Sequence, residues 1–262
     1  MLPRIVFVLA CSVVLYSQNA AQKTSDKDAA QQKARAVIER SIEAMGGDAF
    51  RQVREMQSKG NYYIFKDGQT AGIAKYLDFT RLPDKSRNQL GEGKNKEVTI
   101  FDLSANKGWH MEGKSAIKEA KPEEVKQFRQ TVRHAIENLL RGRLSEPGMT
   151  FFYYTPDEIS GKGDVEAVEM IDSENDTVSI YFDVKTHLPT RLEYVAIDPR
   201  GNKHKEATEF YVWLAIQGIM TPMRFDNYSD GQLASQIFVK EMIYNPKPPI
   251  PDSYFAQPVA EK

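Results

Sequence analysis

Few side chains in this sequence are able to do chemistry, and their spacing argues against most of it. Four histidines stand at His110, His134, His187 and His204. None falls in an H-x-H, H-x-x-x-H or H-E-x-x-H pattern, so no single helix or strand presents two imidazoles to one metal. They read as exposed or structurally bonded histidines. The run "DSENDT", Asp172 to Thr177, spaces acids at alternate positions like the opening of a calcium loop. It lacks the glycine at the sixth position, and strand-like runs flank it, so it reads as an acidic hairpin turn. There is no G-x-S-x-G elbow and no glycine-rich phosphate loop before a helix. The only cysteine is Cys11. The expectation is a protein with no catalytic residue, no metal and no cofactor, and so not an enzyme.

What remains is apolar. Aromatic residues gather at Trp109, at Phe151 to Tyr154, and at Phe210, Tyr211 and Trp213. Neighbours along a strand face opposite sides, so about half of these point inward. Phe128, Val132, Ile136 and Leu139 recur at helical spacing. Trp109, Phe128, Val132, Ile136, Leu139, Phe152, Tyr154 and Trp213 are therefore the candidates to line a lipid-binding cavity. Plain core packing is the competing reading for each of them.

The elements that must position these residues show in the periodicity. Val37, Ile38, Ile42 and Met45 form one apolar stripe, and Gly46-Gly47 follows, which predicts an amphipathic helix over 30–45. A second helix is expected in "KPEEVKQFRQTVRHAIENLLRGR". Pro122 and two glutamates suit its start, and arginines and Gly142 suit its end. The rest alternates with period two between Gly, Asn, Asp and Pro turns, giving about eleven strands. No composition break separates 34 from 244, so 34–258 is read as a single domain. So long an antiparallel meander must curl, and two amphipathic helices need a face to bury against. The expected fold is mainly β: a strongly curved antiparallel half-barrel, with the two helices as a lid over an apolar concavity.

Composition sets the partners and the address. The chain has 262 residues and a formal charge of -1, from 35 basic and 36 acidic side chains. Such balance gives no field to gather nucleic acid. Arg4, then the apolar run Ile5 to Tyr16, then Ala20-Ala21 reproduce the layout of a secretory signal peptide over 1–21;. Lipidation at Cys11 is the lesser alternative. Residues 22–33 are polar and read as a disordered leader. The mature chain is expected to be a periplasmic monomer with no transmembrane segment.

Several stretches carry a resemblance. They are "VIERSIEAMGGDAFRQVREMQSKG", "NKGWHMEG", "FDVKTHLPTRLEY", and the closing "YVWLAIQGIMTPMRFDNYSDGQ" with "FVKEMIYNPKPPIPDSYFAQP". In order and spacing the chain resembles the LolA/LolB-like superfamily of outer-membrane lipoprotein-sorting proteins, in its broad bacterial branch. The resemblance implies a half-open barrel with a helical lid, a periplasmic address and an apolar cavity for acyl chains. It does not imply lipoprotein transfer itself, and no lid residue is carried over. The leading expectation is a non-enzymatic carrier or chaperone for a lipid or an acylated protein. An envelope protein-interaction or sensor domain with a filled interior is the alternative, and a hydrolase comes last. The proline-rich end, Pro246 to Phe255, is expected to run along the outside of the sheet as a structural latch.

Overall fold

The alternating runs pair in the order in which they occur. The turns between them use residues that tolerate a left-handed backbone: Asp67-Gly68, Asn106, Asn175, Gln217-Gly218 and Asp230-Gly231 all have positive φ;. A computed structural model describes residues 11–113, 116–156, 164–198 and 200–259, with the backbone alone for 11–27 and 116. Residues 1–10, the first half of the expected signal peptide, lie outside the described residues.

Thirteen strands, all antiparallel, form one sheet among the described residues. They are β1 (Glu55–Lys66), β2 (Gln69–Arg81), β3 (Lys85–Leu90), β4 (Glu97–Asp102), β5 (Lys107–Glu112), β6 (Ala116–Glu119), β7 (Thr150–Tyr154), β8 (Val165–Ile171), β9 (Thr177–Asp183), β10 (Pro189–Ile197), β11 (Lys203–Ile216), β12 (Ile219–Ser229) and β13 (Gln232–Tyr244). The expected eleven becomes thirteen for two reasons. The run broken at Leu82-Pro83 is two strands, and β6 is too short to show alternation. The order is β6-β5-β4-β3-β2-β1-β13-β12-β11-β10-β9-β8-β7. Two meanders thus meet at a central β1–β13 pair. The sheet does not close. It is a half-barrel whose two edges, β6 and β7, are consecutive in the chain.

The crossover between those edges carries α3 (Pro122–His134) and α4 (Ile136–Leu139). The sequence predicts one helix here. The backbone instead breaks at Ala135, with ψ at 131°. The Asn138 side-chain amide donates to the carbonyls of Val132 (3.0 Å) and Pro83 (3.3 Å), stabilising the break from within;. At one end α3 stacks Phe128 on Phe101 of β4, with ring centroids 4.2 Å apart. At the other end His134 Nε2 lies 2.7 Å from Asp176 Oδ2 in the β8–β9 turn. The helix therefore bridges the two arms of the sheet.

The first helix, α1 (Cys11–Ala44), is longer than its stripe predicts. Residues 22–33, expected as a disordered leader, are helical. Among the residues described from 28 onward the first buried one is Ala34, and Val37, Ile38, Ile42 and Met45 are 3% exposed or less. This stripe packs against Phe151, Met170, Ile180 and Phe182 to form the main core. The helix ends at Ala44, and at Gly46 in the turn that follows a Cβ would sit 2.6 Å from the Gly218 carbonyl oxygen. The short α2 (Asp48–Arg51) then leads into β1. No described helix is long and apolar enough to cross a membrane.

The C-terminal segment lies on the opposite face of the sheet from the helices. Ile250 and Phe255 bury against Phe79. Arg81 Nη2 donates to the Ile250 carbonyl, and the Ile250 N–H donates to Glu55 Oε2 at 2.9 Å. Glu55 also pairs with Arg81 at 2.7 Å. The prolines supply no donors, so these few polar contacts and the apolar cluster fasten the end of the chain.

Candidate functional site

Cross-strand register decides which side chains share the interior. Thr80, Ser86, Phe101 and Gly108 oppose one another along β2 to β5, and Phe101 meets α3. One pair further along, Ser58, Asp78, Asn88, Thr99 and His110 form a row across β1 to β5 on the same, helix-facing side. The expected apolar concavity is therefore polar along this arm. All five residues are half-buried. Thr80 Oγ1 donates to Asp78 at 2.9 Å, and Thr99 Oγ1 lies 3.3 Å from His110 Nδ1. Burial pushes the Asp78 carboxyl up to about 6 against its hydrogen bonds from Thr80 and Asn88, and Glu137 adds to the rise;.

The other arm is apolar. Beneath the α3–α4 junction a recess of about 200 Å³ opens against β10, β11 and β12. Ile136, Leu192, Phe210 and Phe225 supply its apolar wall, with the Tyr194 ring beside them. Leu192 and Tyr194, Thr208 and Phe210, and Phe225 and Asn227 are each two residues apart on a strand, so period two brings every pair to the same face. Burial holds Tyr194 up at about 12, helped by Glu206 and Asp176, so its hydroxyl stays protonated at neutral pH;.

His134 closes the recess from the helix. It is 2% exposed, and its ring lies 4.0 Å from the Tyr194 ring. Because Nε2 meets the Asp176 carboxylate, which accepts, that nitrogen carries the proton;. Its Nδ1 is buried and meets no hydrogen-bond partner among the described residues. The neighbouring Arg133 and the buried Arg143 converge on Asp172 at 2.6 and 2.9 Å. Burial pushes Asp172 up. The backbone N–H groups of Asp176 and Glu174, together with Arg133, outweigh this and hold it below the usual carboxylate range;. The acidic turn read in the sequence is thus the dock for the end of α3. Among the described residues no group of three acids, histidines or cysteines is placed to hold a metal.

The eight sequence candidates scatter. Ile136 reaches the recess, and Leu139 is fully buried in the main core. The break at Ala135 sends Phe128 and Val132 elsewhere, to the cluster of Phe101, Leu103 and Val125. Trp213 is half-buried beside Phe210. Val212 between them has a left-handed backbone (φ 57°) and drops out of the β11–β12 pairing, whose register stays unshifted, with Tyr211 opposite Arg224 and Trp213 opposite Pro222;. The remaining three point away from the helices. Trp109 opposes Ile100, and through Arg87 shares the face of Phe79 and the C-terminal segment. Phe152 and Tyr154 lie opposite the core face of Phe151 and Tyr153. Tyr154 instead donates to Tyr181 (3.1 Å), which donates to Glu193 (3.3 Å). Sequence reasoning missed His134, Leu192, Tyr194, Thr208, Phe225 and Asn227, although strand alternation marks five of them in pairs with their neighbours.

A second hollow, about 230 Å³, lies beside Gly60 and Tyr76 and is edged by Lys59, Lys75 and Lys240. Two of these cations are already paired, Lys59 with Glu241 and Lys75 with Glu92. The recess under α3 is the better site, because its wall is apolar and largely buried;.

This geometry has counterparts among solved structures. A DUF1329 family protein from Desulfovibrio piger superposes with a TM-score of 0.54 at 11% identity, covering 85% of this chain and 97% of that one. The LolA superfamily protein NE2245 from Nitrosomonas europaea does so with a TM-score of 0.53 at 12% identity, again covering 85% of this chain and 97% of that one. The fold is LolA-like. At such identities the likeness is one of architecture. No family model matches the sequence, and no curated protein matches it. Within the LolA-like fold, the expectation of a helix-covered half-barrel holds, while the floor of the barrel divides into a polar arm and an apolar arm.

Proposed function

We propose that the chain is a non-enzymatic carrier of the bacterial envelope that takes the acyl chain of a lipid, or of an acylated protein, into the recess beneath α3 and α4. The observation that carries this reading is the apolar recess itself, set under a crossover helix in a barrel left open. Binding would draw on apolar area at about 25 cal/mol per Å² and needs no catalytic group. At about 200 Å³ the recess is smaller than the ~300 Å³ at which ligand pockets usually begin;. Full entry of a chain therefore requires α3 to shift. It is suited to do so, since Val125 and His134 are its only buried residues. A periplasmic address follows from the expected signal peptide.

The test is binding of a neutral pyrene-labelled acyl ester to the full chain and to Thr208→Trp, which fills the recess. A loss of about tenfold or more is expected, equivalent to ~1.4 kcal/mol. Wild-type protein that neither binds the ester nor co-purifies with lipid in native mass spectrometry would sink the carrier. One observation favours the alternative, an envelope interaction domain with a filled interior: the core under α1 is closely packed, with Phe151, Ile180 and Phe182 at 1% exposure or less. The same negative result would support it.

A further inference from the structure

We infer that the outer face of β10 to β13, turned away from the recess, binds a neutral glycan. This is a second site, independent of the carrier reading. Arg191, Glu209, Asp226, Gln236 and Tyr63 oppose one another in a row from β10 to β1. Leu192, Phe210 and Phe225 of the recess stand next in sequence to the first three, so the row faces the opposite way. Acids on the outside of a sheet are ordinarily wet. Here Glu209 is 7% exposed and Asp226 2%. Long side chains lying along the strands cover them. Arg224 reaches along β12 and grips Asp226 through two bonds, at 2.8 and 2.5 Å. Tyr211 reaches back along β11 and donates to Glu209. Arg191 donates to Glu193 and to Glu209, at 2.6 Å each. Strand side chains usually stand off the sheet, so these form an unusually flat layer. Rings are set into it. The Arg224 guanidinium lies 4.9 Å from the Tyr211 ring and 5.4 Å from the Phe238 ring, and that of Arg191 lies 5.7 Å from the Tyr228 ring.

The chemistry of this layer chooses the ligand. Its charges balance: Arg191, Arg224 and Lys205 meet Glu193, Glu209 and Asp226. No surplus cation draws a phosphate or carboxylate polymer, and no surplus acid draws a cation. It nevertheless keeps donors. A guanidinium carries five N–H groups. Arg191 Nη2 and Arg224 Nη1 make no bond among the described residues. Neither nitrogen is a buried orphan, and the two side chains are 19% and 34% exposed, so these N–H groups meet solvent. The ion pairs already fix both forks, so little entropy is lost when they bind. Between them the rings of Tyr211, Tyr228 and Phe238 are half-buried. A sugar ring matches this mosaic, with C–H faces for the aromatic rings and hydroxyls for the forks. The two arginines stand two strand spacings apart across the sheet, roughly 10 Å, about the reach of a disaccharide.

The experiment follows the backbone amides of the full chain by NMR as cellotetraose, chitotetraose, maltotetraose or the anionic tetragalacturonate is added to millimolar concentration. At least one neutral sugar is expected to shift the amides of β10 to β13 and to leave those of α3 in place. That map needs no variant. Tyr228→Ala, checked by its melting curve, should weaken the same sugar about tenfold, the loss of one stacked ring. Thr208→Trp, which fills the recess, should bind it as the wild type does. No shift with any of the three neutral sugars, a response to tetragalacturonate alone, shifts confined to α3 and the recess, or full affinity in Tyr228→Ala would each overturn the glycan site. None of these outcomes touches the carrier reading, which stands or falls on the pyrene ester.

Discussion

Asp78 sits in the middle of the polar row with its carboxyl held up at about 6, chiefly by burial. An unfolded chain titrates this residue near ~3.9, so the folded protein holds the proton more tightly. The stability this group contributes is present below about pH 4, declines as pH rises towards 6, and is gone above it. Asp78→Asn keeps an oxygen for Thr80 and Asn88 and removes the buried charge. It should therefore stabilise the protein at about pH 7.5, by up to ~3 kcal/mol for a shift of about two units, and do little at about pH 3.5. Urea denaturation at the two pH values checks this. Equal changes at both would place the effect elsewhere. Asp78 was not singled out in the sequence because nothing local marks it. It lies in an ordinary alternating strand, and only the register of β1 to β5 reveals that its row is polar throughout. His134 is the counterpart in a helix. Two residues past Val132 it falls off the predicted stripe, and the break at Ala135 is what turns it inward.

Among the elements, the proline-rich end was the most legible. Missing donors exclude it from a sheet ladder, and a latch along the outside of the sheet needs its one large apolar end residue, Phe255, to fold back against the body. It does so at 2% exposure, beside Phe79 and Ile250, with Arg81 and Glu55 holding the backbone. Phe255→Ala should cost about 3 kcal/mol or more, the usual range for a buried phenylalanine. Truncation after Asn245 should lower the melting temperature further. A truncated protein that melts with the wild type would show that the latch holds nothing. The crossover helix was half legible. Its start at Pro122 is local chemistry, but its break depends on Asn138 bonding to Val132 and to Pro83, the latter 55 residues away in sequence.

At the scale of the molecule, the crossover from β6 to β7 makes α3 a bar between two arms of an open sheet. It is pinned by Phe128 on one arm and by the Asp172–Asp176 turn on the other. Between those pins little apolar surface holds it. Hydrogen exchange should find the central β1, β12 and β13 amides slowest and the α3 amides much faster, since regions with few buried apolar contacts open first. Asp172→Ala should speed α3 exchange again without touching β13. Protection of α3 equal to that of the central strands would mean that the bar does not open, and entry to the recess would then need another path.

The sequence by itself determined what is local: the period-two runs, their glycine and asparagine turns, the two amphipathic stripes, and a curved β sheet with helices to cover it. Those follow from backbone geometry and burial within a few residues. The tertiary structure decided what is not local. It set which meander edge faces which, how the left-handed kink at Val212 turns Trp213 inward, and why Phe152, Tyr154 and Trp109 look outward. It also brought His134, Tyr194, Thr208 and Phe225 around one recess. Alternation tells that a side chain faces one of two sides. Only register and the crossover say which side is the inside, because that choice is made by pairing between residues far apart in the chain.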